Sequence, residues 1–243
     1  AVCYQRLNVK IVGSHGGLSV GADGATAESL EEFSSLRALP HMTVIVPCDA
    51  LEAKKATIAS ASHPGPVFLR LGRSPIPVIT KPEEVFTVGR ANVLRGGDRA
   101  GQIISGEGVS TAKGLSTEDV SLVACGIMVA HALGAAELLA KDGSSARVIN
   151  LHTIKPIDRA TLLAAARDTG AIVTAEEHSV VGGLGSAVAE VLVQEHPVPM
   201  RFVGVQDRFG TSGDPAELLK VFGLMPEDIA AAAKDLLRVK QTL

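Results

Sequence analysis

Leu7-Asn8-Val9-Lys10-Ile11-Val12-Gly13-Ser14-His15-Gly16-Gly17-Leu18-Ser19-Val20-Gly21-Ala22-Asp23-Gly24-Ala25-Thr26 is the stretch on which the reading of the fold turns. Val9–Val12 is short and β-branched, and reads as a strand. Five glycines then fall within the twelve residues from Gly13 to Gly24. A segment of that kind cannot pack a core, so it is a loop whose backbone approaches something closely. A strand that runs through such a loop towards a helix is a βα junction, and small ligands sit at the carboxyl ends of parallel strands. His15 and Asp23 are the polar side chains the loop can aim at one. The alternative is a Gly-rich connector carrying a solvated His and Asp, and these residues alone do not choose between the two.

Outward from this loop, strand-like and helical runs alternate. Thr43–Val46 and Val67–Leu71 read as further strands. Leu30, Phe33 and Leu36 fall at helical spacing, and Asp49 to Ser60 reads as a helix capped by Asp49. The β-α-β-α-β order implies a parallel sheet with crossover helices. It is about half of a doubly wound layer, so the expectation is the tail of a domain ending near Pro82. Pro75, Pro77 and Pro82 mark an extended linker. Val85 to Leu94 has room for one or two short strands, and Gly96 to Asp119, rich in Gly, Ser and Thr, reads as an exposed loop or mobile hairpin.

From Val120 a second α/β unit is expected, with strands at 121–125, 147–151, 170–175 and 201–205. Its helices are expected near 127–141, 158–167, 184–193, 214–221 and 226–237. Those four strands suffice for a complete small doubly wound domain. Asp158, Asp214 and Glu227-Asp228 lie at or near helix starts, where negative charge suits the dipole.

Composition narrows the function. Apolar residues make up 46% and charged residues 20%, the balance of a globular protein with a real core. A formal net charge of −3 and 3% aromatics argue against a nucleic-acid binder, which needs a basic face and stacking surfaces. No apolar run approaches the ~20 residues of a membrane span, and the N-terminal residues carry no signal-peptide pattern. Cys3, Cys48 and Cys125 are widely spaced and form no CxxC, so they read as structural thiols of a reducing compartment, the cytoplasm.

Three further groups stand out. Arg70 and Arg73 flank Gly72 at the end of an apolar strand, where an arginine can grip an anion bidentately or form a surface ion pair. Gly182-Gly183-Leu184-Gly185-Ser186 is separated from its strand by several residues, so it reads as tight packing at a helix start rather than a dinucleotide fingerprint. Glu176-Glu177-His178 could be acid/base residues, but hydrogen bonding at a strand end or domain interface is the commoner use. Lys155-Pro156-Ile157-Asp158 reads as a loop entering a helix through an Asp cap.

Taken in order, these motifs resemble the transketolase family. Leu7–Val12 with Ser14-His15-Gly16-Gly17 and Val20–Thr26 is similar to the later part of the family's pyrimidine-binding domain. Leu36-Arg37-Ala38-Leu39-Pro40-His41-Met42, Val46-Pro47-Cys48-Asp49 and Gly65–Arg73 continue the likeness. So do His152–Asp158, Ala175–His178, Gly182–Ser186 and Asp207–Gly213. The pattern is similar to the C-terminal subunit of transketolases whose halves are separate polypeptides.

The resemblance implies an incomplete parallel-sheet pyrimidine-binding domain over residues 1–82, a linker and loop over 83–119, and a complete doubly wound transketolase C-terminal domain over 120–243. It also implies thiamine diphosphate with Mg²⁺, held mainly by a partner N-terminal subunit and by a segment preceding Ala1. The family's catalytic glutamate falls in that preceding segment, so no catalytic or metal role is assigned here and cofactor contacts are left open. His15, Asp23 and Arg73 match substrate-contacting positions: a hydrogen-bond donor to a substrate oxygen, an acceptor from a hydroxyl, and a phosphate clamp. Ala27 stands where the family commonly has a His that contacts the donor sugar, and Ala22 where it has a Glu.

The implied activity is transfer of a two-carbon ketol unit between sugar phosphates. The alternatives are an enzyme like 1-deoxyxylulose-5-phosphate synthase and a non-catalytic assembly subunit. The expected assembly is a homodimer at least, and a heterotetramer with the N-terminal subunit, the loop Gly13–Thr26 facing another chain.

Overall fold

The computed structural model describes residues 1–96 and 118–242, arranged around two sheets. The first holds β1 (Lys10–Gly13), β2 (Thr43–Ile45) and β3 (Val67–Arg70), with β7 (Thr153–Lys155) arriving from far along the chain, in the order β1-β3-β2-β7. β1 and β2 both pair parallel with the central β3. α1 (Glu32–Arg37) and α2 (Ala50–Ser62) provide the connections such pairing requires. β3 is buried along its length, while β1 leaves Val9, Ile11 and Val12 partly in solvent, Val12 by 54%.

The second sheet runs β4-β6-β5-β8-β9, formed by β4 (Asn92–Arg95), β5 (Val120–Ala124), β6 (Ala146–Asn150), β8 (Ile172–Ser179) and β9 (Met200–Val205). β5, β6, β8 and β9 are mutually parallel, and β4 closes one edge antiparallel to β6. The helices are α3 (Met128–Lys141), α4 (Arg159–Thr169), α5 (Leu184–Glu195), α6 (Pro215–Val221) and α7 (Pro226–Lys240). α3 and α7 can lie close because Gly134 meets Pro226. Leu122, Leu139 and Ile149 are wholly buried, each worth roughly 1.5–3 kcal/mol of apolar transfer.

The fold is the expected mixed α/β, with two differences of detail. The second sheet has a fifth, antiparallel strand, β4, which overlaps the end of the Val85–Leu94 stretch where short strands were expected. Thr153–Lys155 form β7, antiparallel to β2, a strand not expected from the sequence and ending at the first residue of the loop read at 155–158. A three-residue strand ended by proline has no periodicity to detect. It is held by tertiary contacts instead, the Lys155 ammonium donating to the carbonyls of Arg37 and Leu39.

The caps expected at Asp49 and Asp158 are present, and Asp214, expected near a helix start, caps one as well. Asp49 accepts from the Glu52 N–H, Asp158 from that of Thr161, and Asp214 from those of Ala216 and Glu217. Of the expected loop 96–119, all but Gly96, Glu118 and Asp119 lies outside the described residues. Among the described residues no helix is long and apolar enough to cross a membrane.

Candidate functional site

The loop that leaves β1 emerges at the carboxyl end of the parallel strands. Ser14 and His15 are exposed, His15 sits at φ +64°, and its Nδ1 lies 3.0 Å from the Ser14 hydroxyl. The chain then turns inward. Gly16 N–H donates to the Leu71 carbonyl and Gly17 N–H to that of Ser29. Leu18–Asp23 forms a 3₁₀ segment kinked at Gly21, with Leu18 and Val20 buried. Arg73 donates to the Val20 carbonyl at 2.8 Å and pairs with the Asp23 carboxylate at 3.1 Å, and the Ser74 hydroxyl donates to Ser19 O. The fold thus joins Asp23 to Arg73, half-exposed on the rim, and holds His15 on the same loop.

The glycines have an unexpected neighbour. A Cβ on Gly16 would lie 2.5 Å from Arg70 Nε, and one on Gly17 would collide with the Arg70 guanidinium and the Glu177 carboxylate. Gly21 meets Pro215 in the same way. The close approach read from the sequence is therefore made to the protein itself, to Arg70 of β3 and to Glu177 and Pro215 of the second half. Ser14, His15, Asp23 and residues 25–27 remain exposed.

Beneath the loop lies a buried polar junction. Arg70, 4% exposed, donates from Nε to Glu32 at 3.1 Å and from Nη1 to Glu177 at 3.3 Å, and its Nη2 reaches the Glu177 carbonyl at 3.2 Å. Burial opposes the guanidinium charge, but Glu177 and Glu32 outweigh it and hold its pKa above the ordinary value. The other Glu177 oxygen accepts the Ser19 N–H at 2.6 Å.

Next to Glu177, His178 stacks on Phe33 with centroids 4.3 Å apart and accepts the Phe33 N–H at Nε2, while Nδ1 lies 2.6 Å from Ser179 O. Nε2 therefore carries the lone pair and Nδ1 the proton. Glu176 accepts the Leu184 and Gly185 N–H groups, holding the start of α5, where Gly183 leaves no room for a side chain. Glu177 and His178 thus bond to the first half of the chain, and Glu176 with Gly183 and Gly185 holds a helix start.

Glu52 accepts from Cys48 N and Asn150 Nδ2, and burial raises its pKa. Burial pushes both the Cys48 and Cys125 thiols up, which keeps them protonated and unreactive, and all three cysteines are free. His152 lies tilted against the Phe86 ring, with centroids 4.1 Å apart, and burial lowers its pKa to about 3. Glu28 is buried against Gly210, with neither carboxylate oxygen in hydrogen-bonding geometry. Its pKa is raised by burial, drawn partly back by the Thr211 backbone and raised further by Glu177. Among the described residues no group of three or more His, Cys, Asp or Glu is arranged to hold a metal ion.

In the sequence Arg70 and Glu177 stand out without being paired, and Glu28 and Glu32 do not stand out at all.

This architecture is that of a known family. Residues 1–78 match the model of the transketolase pyrimidine binding domain, and residues 112–229 that of the transketolase C-terminal domain. The chain belongs to the transketolase family. It is 43% identical over 235 residues to the 6-deoxy-6-sulfo-D-fructose transketolase subunit SqwH of Clostridium sp. (strain MSTE9), covering 97% of this chain and 67% of the relative. It is 35% identical to one of the subunits of the apulose-4-phosphate transketolase of Phocaeicola vulgatus, covering 98% and 70%. A solved structure described as a split gene transketolase, inactive β4 tetramer, superposes with a TM-score of 0.84 at 43% identity, covering 98% of this chain and 70% of that one. The chain thus spans about two thirds of the length of these relatives.

Proposed function

We propose that this chain is the C-terminal part of a thiamine diphosphate-dependent transketolase, which moves a two-carbon ketol unit from a ketose phosphate to an aldose phosphate together with an N-terminal partner subunit. One observation carries the reading beyond the family. The loop bearing His15 and Asp23 is anchored rigidly from below, while its rim, with Arg73, stays open. A half-exposed ion pair such as Asp23–Arg73 is worth at most ~1 kcal/mol. A sugar phosphate can therefore open it: Arg73 takes the phosphate as a charge-assisted pair, Asp23 is freed to accept from a hydroxyl, and His15 donates to a substrate oxygen.

The cofactor supplies the electron sink for breaking and forming the carbon–carbon bond. Its diphosphate and Mg²⁺ belong to the partner in this reading. The loop amides of Gly16, Gly17, Ser19 and Val20 are already bonded within the chain, so they are not a diphosphate cradle. The tetramer in the related solved structure's description supports self-association of this chain, a dimer or more that becomes a heterotetramer with the N-terminal subunit. Free thiols accord with the cytoplasm.

Ala27, exposed where the family commonly presents a His, favours the rival reading of a non-catalytic assembly subunit. The test is the reconstituted complex with thiamine diphosphate and Mg²⁺. It should convert xylulose 5-phosphate plus ribose 5-phosphate rather than pyruvate plus glyceraldehyde 3-phosphate, the pair a 1-deoxyxylulose-5-phosphate synthase would use. His15→Ala and Asp23→Ala should each lower kcat/KM roughly 10- to 100-fold, the worth of a hydrogen bond to a charged group. Full activity in both variants would establish the assembly role instead.

A further inference from the structure

We infer that Glu177, which belongs to the second sheet, is a positioning residue for the substrate loop of the first, an inference that rests on the function proposed above. The loop is tied on one side by its own half, through Leu71, Ser29 and Arg73. From the other half, Glu177 takes the Ser19 N–H at 2.6 Å near the start of the 3₁₀ segment, and the Ser212 hydroxyl reaches the Ala22 carbonyl at 2.8 Å. Glu177 is 2% exposed, and a carboxylate accepting a backbone N–H there makes a short, directional, charge-assisted bond.

Stability alone is a poor reason to keep this arrangement. A buried ion pair can often be replaced by apolar residues of similar volume at no cost, whereas its geometry specifies one conformation. Here the geometry is transmitted with no slack. Gly16 and Gly17 lie flat against Arg70 and Glu177 with no space for even a methyl group. A shift of that pair therefore moves the backbone next to His15, and through Ser19 and Val20 it moves the segment ending at Asp23. Misplacement by about 1 Å is enough to cost ~100-fold in rate. The second half of the molecule thus sets the aim of substrate contacts carried entirely by the first.

The test separates the Ser19 bond from the ion pair. R70M/E177Q and R70M/E177M both lack the pair and both keep the volume, but only the first retains an acceptor for Ser19 N–H. Hydrogen exchange on the chain should show Ser19 protection within about 3-fold of wild type in R70M/E177Q. In R70M/E177M it should fall at least ~10-fold, confined to the loop. In the complex with the N-terminal subunit, kcat/KM should follow the same split, the second variant falling ~100-fold below the first. Equal loop protection and equal activity in the two variants would overturn the inference, as would activity that tracks melting temperature instead of Ser19 protection. If the wild-type complex shows no ketol transfer, the functional reading fails by itself, and the exchange comparison still decides whether Glu177 holds the loop.

Discussion

Arg70 and Arg73 stand on either side of Gly72, and the fold treats them in opposite ways. Arg73 reaches the rim and pairs with Asp23, both side chains about half in solvent. Arg70 turns under the same loop and is sealed between Glu32 and Glu177. The rim pair is exposed, weak and replaceable by a ligand; the buried pair is costly to break and unavailable to one. Their difference shows how one strand end can both bind a substrate and hold the binding loop.

The sharpest way to break this comparison is to truncate each arginine. Arg70→Ala leaves Glu177 and Glu32 without their cation and should cost ~3–5 kcal/mol in urea denaturation. Arg73→Ala should cost less than ~1 kcal/mol. Similar losses in the two variants would erase the distinction between rim and junction.

Asp49 extends the contrast to a buried carboxylate with every bond made. It caps α2 and accepts the N–H groups of Ile79 and Thr80 and the Thr80 hydroxyl. Burial works against its charge, yet those donors outweigh burial and lower its pKa. Its contribution is therefore complete above the ordinary aspartate value and is lost as pH falls through the lower folded one. Asp49→Ala should cost roughly 2–3 kcal/mol at pH 7. The difference from wild type should shrink towards pH 2, which denaturation at the two pH values measures.

Glu28 marks where the lesson reverses, because it is a buried carboxylate whose burial only the Thr211 backbone offsets. Its raised pKa means that its favourable contribution is complete below the ordinary glutamate value and is lost as pH rises through the folded one. Glu28→Gln should thus stabilise by about 1–2 kcal/mol at pH 8 and by nothing measurable near pH 4. A destabilised variant at pH 8 would mean that the carboxylate has a partner worth its burial.

The smallest effect belongs to the rim. Asp23→Asn should change stability by less than ~0.5 kcal/mol, while freeing Arg73 and strengthening phosphate binding. Calorimetry with inorganic phosphate on the full complex would show tighter binding at low salt. No change there would mean that Arg73 does not compete between Asp23 and a phosphate.

Local chemistry determined what could be read from the sequence alone. Val9–Val12, Thr43–Val46 and Val67–Leu71 announce strands because β-branched runs between turn residues need no distant partner to be recognised. Asp49, Asp158 and Asp214 announce helix starts because a cap bonds within its own first turn. The order of motifs from Ser14 to Gly213 carried the family.

Tertiary structure alone decided which groups pair. Arg70 meets Glu177 from 107 residues away in sequence, and nothing in either neighbourhood names the other. Glu32 carries no signal in the sequence, and only the fold brings it within 3.1 Å of Arg70 Nε. Gly16 and Gly17 show in sequence that something comes close, yet a ligand and a buried ion pair make the same demand on a backbone with no Cβ. Thr153–Lys155 becomes a strand only because β2 offers it an edge. Patterns along a chain report the geometry of neighbouring residues, whereas a side chain's burial and charge partner depend on what the rest of the chain folds against it.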